Sequence, residues 1–225
     1  MDKVEALLNK INLEVPLIVD SAMVEYELYD KWESSSLGNK HEWRTSPVNM
    51  LAFSPGEYLE YLLEKMNGNH EHAFTSFKNT ERKIMQTVPH FDLKTNKISG
   101  FDFVINKYMI THLLANYGTL RLEEYLHEAC KHEVGHIVDA FIELDGKGPD
   151  VRCEYYDKMG EAYERFDEWY AEQTPETMTT AQGRMEYFKI PFEQRANEYG
   201  HVDTELMFEI LKEFDKFDEA YNERK

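Results

Sequence analysis

The sequence is short of the residues that would make a disulfide scaffold, a membrane span or a nucleic-acid-binding surface. It has only two cysteines, Cys130 and Cys153, which form no C-x-x-C pair and which we interpret as free thiols. No run of eighteen apolar residues occurs, and the N-terminal segment lacks the basic and then apolar layout of a signal peptide. These absences predict a protein that does not associate with a membrane, and we expect a cytoplasmic location.

Basic residues are also outnumbered. The chain has 25 Lys and Arg against 43 Asp and Glu, and its formal charge of −18 would repel nucleic acid and anionic membranes. Such a charge would favour a basic partner or a cationic substrate segment, although solubility alone is the simpler explanation. A length of 225 residues with 42% apolar content permits a real core, as one large domain or as a catalytic domain with a smaller helper.

The sequence does contain the motif His132-Glu133-Val134-Gly135-His136, within a segment of helical periodicity. Residues four apart share one face of a helix, so His132 and His136 can direct two imidazole nitrogens at one point, with Glu133 near the same edge. Two imidazoles and an adjacent carboxylate suit a zinc ion and the water that it activates. An accidental match in a chain rich in Glu is the alternative interpretation.

The helix that carries this motif is expected from Leu120 to Leu144, with Thr119 as its N-cap and Gly146 just past its end. The two histidines fall at the border between an apolar and a polar stripe, as expected for ligands that face an enclosed cleft. The apolar stripe comprises Leu126, Cys130, Val134, Ile137, Val138 and Phe141, and the polar stripe comprises Arg121, Glu124, Glu128, Lys131, Gly135 and Asp139.

The N-terminal part gives weaker signals. Residues 2–10 predict a short helix, and the apolar alternation of 11–17 around Pro16 predicts an edge strand. Residues 21–32 fit either a strand or a helix capped by Asp20, and 34–39 predict a loop.

Elsewhere, the pattern at 98–106 predicts a strand, either at the edge of a small sheet, where a peptide substrate can pair with it, or in the interior of that sheet. Further helices are expected from Ser54-Pro55-Gly56-Glu57 to about Met66, with a stop at Gly68, and from Lys83 to Val88, ending at Pro89. Three more are expected from Lys107 to Asn116, where Gly118 ends the helix, from Asp150 to Gln173, and from Pro191 to Gly200. The Thr-rich stretch 174–183 is expected to be a mobile connection.

A catalytic zinc needs a third protein ligand and an open position for water. Three other histidines, His70, His72 and His127, have no suitable spacing or face, and we do not expect them to bind metal. The candidates are the two carboxylates of the helix at 191–200, Glu193 and Glu198.

At this point the sequence resembles the gluzincin metallopeptidases, whose third ligand is a Glu on a helix downstream of H-E-x-x-H. Glu193-x-x-Ala196-Asn197 is similar to the Glu-x-x-Ala pattern of the minigluzincins and of the repressor-cleaving peptidases of mobile elements. The motif helix also looks like that of the anthrax lethal factor protease domain. The specific resemblance covers about 20 residues and the general layout covers 98–215, with a departure in the gap of 57 positions between His136 and Glu193.

The resemblance implies an α+β fold, with a mostly helical zincin-like domain at 96–225 that combines a small sheet and an active-site helix. Residues 1–95 match no known family, and we expect them to form a helper region of unknown role. The resemblance also implies Glu193 as the third zinc ligand, Glu133 as the general base of peptide hydrolysis, and Tyr187 as an oxyanion donor, with Tyr199 and His201 as alternatives. The expected partner is a protein or peptide substrate, with no nucleic acid and no membrane.

Two other functions stay open. One is a zinc-binding regulatory or interaction module without hydrolytic activity, and the other is an acidic interaction protein whose motif is accidental. A DNA-mimicking inhibitor is a more specific version of the acidic interaction protein, but such a protein has no need of the H-E-x-x-H motif.

Overall fold

The structure, a computed structural model, describes residues 2–28, 48–65, 83–174 and 178–222. Its helices are α1 (Lys3–Glu25), α2 (Pro55–Lys65), α3 (Lys107–Tyr117), α4 (Leu120–Glu143), α5 (Pro149–Ala171), α6 (Thr180–Tyr187), α7 (Pro191–Tyr199) and α8 (Thr204–Asn222), and its strands are β1 (Val48–Phe53), β2 (Met85–Phe91) and β3 (Ile98–Asn106). The mostly helical α+β class with a small sheet is therefore confirmed.

The sheet has the strand order β1-β3-β2, with β1 parallel and β2 antiparallel to β3. The strand predicted at 98–106 forms as β3, and of the two predicted positions it occupies the interior of the sheet. Its apolar side chains Phe101, Phe103 and Ile105 are buried, while Val104 packs on the opposite face against Tyr58 and Leu62 of α2. The domain boundary expected near residue 95 stays a prediction, and strands from both of its sides share this sheet.

The helix predicted from Lys83 to Val88 is wrong, because this segment forms strand β2. A proline such as Pro89 can end a helix, but it is equally compatible with an edge strand, where its missing N–H costs no ladder hydrogen bond. Among the described residues, β2 pairs with β3 alone and is therefore an edge strand.

The edge strand predicted at 11–17 is also wrong, because α1 runs unbroken through this segment and through Asp20. The alternating apolar residues separate into two helical faces: Ile11 and Val15 are buried, whereas Leu13 and Leu17 are 73% and 69% exposed. Pro16 lies on the exposed side of the helix, and Asp2 caps the first turn by accepting a hydrogen bond from the backbone N–H of Val4.

Other expected helices form close to their predicted ends. Glu57 accepts hydrogen bonds from the N–H and the hydroxyl of Ser54 at the start of α2, which is described to Lys65, and Gly118 ends α3 with φ +81°. The segment 174–183 is partly helical, because α6 begins at Thr180. The predicted loop at 34–39, the stop at Gly68 and the side chains of His70 and His72 lie outside the described residues.

Helix α4 is the centre of the fold, packed against α1, the sheet and α7. Its predicted apolar stripe is buried, but Glu128, Gly135 and Asp139 of the predicted polar stripe are buried as well, because α7 covers that face. A Cβ atom at Gly135 would lie 1.8 Å from the carbonyl oxygen of Ala196, so α4 and α7 approach each other backbone to backbone. The bidentate ion pair of Arg195 with Asp139 ties the same two helices together.

No helix in the described ranges combines the length and the apolar character needed to cross a membrane.

Candidate metal centre

Three side chains that the sequence suggested as ligands meet where α4 and α7 cross. His132 and His136 lie one turn apart on α4, and Glu193 lies in the first turn of α7. The Oε2 atom of Glu193 is 2.8 Å from Nε2 of His132 and 3.5 Å from Nε2 of His136. One ligand atom from each residue lies within 4.8 Å of the others, so the group could hold a metal ion. We call these three residues the ligand cluster.

Within the ligand cluster, one buried carboxylate oxygen has no hydrogen-bond partner among the described residues. Nδ1 of His132 lies 2.8 Å from Oδ1 of Asn197, and a proton on Nδ1 donates to that oxygen. The carboxylate oxygen without a partner is Oε2 of Glu193, which is fully buried and which Nε2 of His132 and Nε2 of His136 both face. A buried carboxylate oxygen left in this state is costly unless a cation satisfies it.

The spacing and chemistry of these donors fit a small divalent cation. Bond lengths of about 2.1 Å at a tetrahedral zinc place neighbouring ligand atoms roughly 3.4 Å apart, close to the two separations from Glu193. Two imidazoles with one carboxylate form a known set of catalytic zinc ligands.

Electrostatics within the cluster also favour a charged Glu193. Burial alone would raise the pKa of Glu193, but the two imidazoles hold it well below its ordinary value. Burial likewise lowers the pKa of His136, but the carboxylates of Glu193 and Glu133 outweigh it and raise that pKa. The cluster therefore offers an anionic oxygen, and its imidazoles must be neutral before they can bind a metal.

Two tyrosines hold the other oxygen of Glu193. The hydroxyl of Tyr187 donates to Oε1 at 2.6 Å, and the hydroxyl of Tyr163 on α5 donates to the same atom. Burial raises the pKa of both hydroxyls, so that they remain protonated donors. With Oε1 fixed in this way, Oε2 is the atom that Glu193 presents to the histidines.

Glu133 lies beside the ligand cluster in the wall of a cleft. Its backbone carbonyl accepts a hydrogen bond of 3.1 Å from the hydroxyl of Thr87, which joins α4 to β2 at this point. No side chain in the described parts of the chain donates to its carboxylate, which leaves that group available to a ligand in the cleft.

The other candidates lie elsewhere. Glu198 is exposed and accepts a hydrogen bond from Gln194, Tyr199 packs edge to face on Tyr26, and Nε2 of His201 lies 2.6 Å from Glu25. His127, as expected, is no member of the cluster and pairs with Glu14 on α1. Of the two free thiols, Cys130 is buried and Cys153 is exposed.

The cleft along α4 has a volume of about 180 Å³ and borders the edge of β2. Consecutive strand residues, Met85, Gln86 and Thr87, line it, although neighbouring side chains of a strand point to opposite faces. Gln86 accepts a hydrogen bond from Tyr58 on the α2 face, whereas Thr87 bonds to α4. The backbone edge of β2 that has no partner strand among the described residues therefore faces the cleft.

Three contributors to the site were not foreseen. Asn197 lies four residues after Glu193 and thus on the same face of α7, so its spacing could have indicated it. Tyr163 lay in an apolar stripe that indicates only packing. Arg184, which lines the cleft from α6, gave no signal in the sequence.

The fold and the ligand cluster define a mostly helical α+β protein with a buried His-His-Glu group that could hold a metal ion. In comparisons with protein-family models, with curated proteins and with solved structures, no match to the chain was found.

Proposed function

We propose that the protein is a zinc-dependent metallopeptidase of the gluzincin type with a zincin-like fold. The observation that carries this proposal is the buried Oε2 atom of Glu193, which faces two imidazole nitrogens and has no hydrogen-bond partner among the described residues. Two imidazoles and one carboxylate would give zinc three protein ligands, the number typical of catalytic rather than structural sites.

His132, His136 and Glu193 would hold a zinc ion, which would supply Lewis acidity and lower the pKa of a water molecule toward about 7. Glu133 takes the proton from that water as the water oxygen attacks the carbonyl carbon of a peptide bond. The same carboxylate returns the proton to the nitrogen when the C–N bond breaks. Its position on the turn of α4 that carries both histidines, and its freedom from other side-chain donors, support this role.

Tyr187 is the proposed donor to the oxyanion that develops in the substrate. In the structure its hydroxyl donates to Oε1 of Glu193, and Tyr163 donates to the same oxygen. Because Tyr163 satisfies that acceptor, Tyr187 can turn toward the substrate without leaving Oε1 unpaired.

The edge of β2, which is unpaired within the described part of the chain, supports a peptide as the substrate. An extended chain can pair with the backbone of this strand, which places the chain in the cleft beside the ligand cluster.

A zinc-binding module without hydrolytic activity is the second candidate. One observation favours it: the hydroxyls of Tyr163 and Tyr187 both donate hydrogen bonds to Glu193. Digestion of a broad peptide library followed by mass spectrometry distinguishes the two candidates, with zinc content measured on the same samples.

The informative variants in that digestion are Glu133→Gln and Glu143→Gln, the second being an exposed residue at the end of α4. We expect zinc-loaded parent and Glu143→Gln to cleave peptides, and Glu133→Gln to keep its zinc but lose at least about 100-fold in rate. Full zinc without cleavage by the parent would favour the non-hydrolytic module.

A further inference from the structure

Two cationic side chains, Lys83 and Arg184, line the cleft beside the ligand cluster. The guanidinium carbon of Arg184 lies 5.3 Å from the ring centroid of Tyr187. The Nζ atom of Lys83 lies 5.5 Å from the ring centroid of Tyr163. Each cation therefore stands next to one of the two tyrosines that bond to Glu193.

Neither cation forms an ion pair with a described carboxylate. Elsewhere in this acidic chain such pairs are common, as between Lys131 and Glu128, and between Arg195 and Asp139. Burial lowers the pKa of Arg184, but its surroundings, Tyr125 foremost, outweigh burial and raise it, so the guanidinium stays charged.

The charges that line the cleft leave a positive excess once a metal is bound. Among the described residues that line the cleft, the only carboxylates that stand against the two cations belong to Glu133 and Glu193. These two balance the cations, so a divalent metal leaves an excess of two positive charges. In a chain with a net charge of −18, this cleft is an exception that suits an anionic group.

Both cations lie on the same side of the histidines. Met85 of β2 contacts Cys130 of α4, and further along both elements Thr87 bonds to Glu133, so β2 and α4 run in the same direction. Lys83 precedes Met85 and therefore lies toward the beginning of α4. Arg184 lines the cleft together with Tyr125, a residue of α4 that precedes His132 and with which its charge interacts most strongly, so we assign it to the same end.

This placement sets which part of a bound peptide the cations meet. A peptide that pairs antiparallel to β2, the more stable kind of ladder, runs from the side of Pro89 toward the side of Lys83. The residues that follow the bond at the ligand cluster then pass the two cations.

We propose that Arg184 and Lys83 bind a carboxylate of the substrate, located on the C-terminal side of the bond that is cleaved. The carboxylate belongs either to an Asp or Glu side chain or to the C-terminus of the peptide. The inference rests on the proposed peptidase function and adds a substrate class to it. Arg184 can form two parallel hydrogen bonds to a carboxylate, and Lys83 adds a second charge.

The test measures binding separately from hydrolysis. It uses the full chain with Glu133→Gln, loaded with zinc, and three pools of fluorescein-labelled random hexapeptides. The first pool has Glu fixed at the fourth position and an amidated C-terminus, the second has Gln there and an amidated C-terminus, and the third has Gln there and a free C-terminus. Fluorescence anisotropy gives the affinity of each pool.

We expect the first or the third pool to bind about tenfold more tightly than the second, and the tighter of the two identifies the source of the carboxylate. Equal affinities for all three pools would overturn the proposal, even if the parent enzyme hydrolyses peptides. A preference for carboxylates without any hydrolysis would keep this inference while the proposed catalysis fails.

Charge-matched variants locate the binding group. Arg184→Gln and Lys83→Gln should each reduce the preference at least threefold, whereas Lys189→Gln, an exposed cation that pairs with Glu186, should preserve it. Arg184→Lys retains the charge and should retain part of the preference, which guards against a folding defect in Arg184→Gln. An undiminished preference in both Arg184→Gln and Lys83→Gln would overturn the assignment.

Discussion

The close approach of α4 and α7 at Gly135 offers a test in which two similar substitutions have opposite effects. Gly135 and Gly160 are both inside helices, in α4 and α5 respectively. A Cβ atom at Gly135 would lie 1.8 Å from the carbonyl oxygen of Ala196, whereas a Cβ atom at Gly160 would meet nothing within 4 Å. Alanine at Gly160 brings only the gain in helix propensity, which we expect to raise the free energy of unfolding by roughly 0.5–1 kcal/mol.

Gly135→Ala brings the same gain in helix propensity but also forces α7 away from α4. Overpacking of this kind costs about 1–3 kcal/mol, and because the contact is with backbone, we expect a net loss of about 2 kcal/mol in the free energy of unfolding. A separation of 3.0 Å from the Ala196 oxygen requires α7 to retreat by 1.2 Å, and Glu193 moves with it. Metal–ligand distances tolerate about 0.2 Å, so zinc affinity should fall at least about tenfold.

Urea unfolding of the metal-free parent, Gly135→Ala and Gly160→Ala measures the first effect, and competitive zinc titration measures the second. Gly160→Ala should bind zinc as the parent does. If Gly135→Ala is as stable as Gly160→Ala and binds zinc equally well, the close packing of α4 on α7 does not position Glu193.

Three further predictions concern the ligand cluster and its supports. In a competitive titration, Glu193→Ala should weaken zinc binding more than about 100-fold. Glu198→Ala, which removes the same charge from α7, should weaken it less than about twofold, and equal losses in the two variants would indicate a general electrostatic effect. Asn197→Ala should cost about 10- to 100-fold in the same assay, because His132 loses the partner of its Nδ1 atom, and an unchanged affinity would remove that role. Burial lowers the pKa of His136, but nearby carboxylates outweigh this effect, so the net pKa is raised and a proton competes with zinc below it. Zinc affinity measured in a pH series should therefore increase up to that pKa and then change less steeply, and a pH-independent affinity would contradict this.

Local signals predicted the elements that carry the ligands. The 3.6-residue period of α4 and the proline and glycine at the two ends of α7 do not depend on the rest of the chain. The alternation in β3 was equally clear, because its apolar side chains face one buried layer.

The errors arose where the partner of a segment decides its structure. Apolar alternation at 11–17 and the proline at position 89 each fit two local structures. Burial against α4 selects the helix for the first, and pairing with β3 selects the strand for the second. The burial of Asp139 could not be predicted for the same reason, since its partners, Arg195 on α7 and Tyr155 on α5, come from other helices.

Within the site, spacing on α4 was sufficient to pair His132 with His136 but could not choose between Glu193 and Glu198. That choice depends on the side of α7 that faces α4, which the contact of Ala196 with Gly135 determines. The contribution of Tyr163 required the position of α5, which no sequence pattern gives.

The most direct test of the central claim is the metal content of the protein purified without added metal, measured by elemental analysis. The parent is compared with His136→Ala and with His127→Ala, an exposed histidine of the same helix that pairs with Glu14. We expect one zinc per chain in the parent and in His127→Ala, and a loss of zinc in His136→Ala. A His136→Ala variant that retains a full equivalent of zinc would contradict the proposed site.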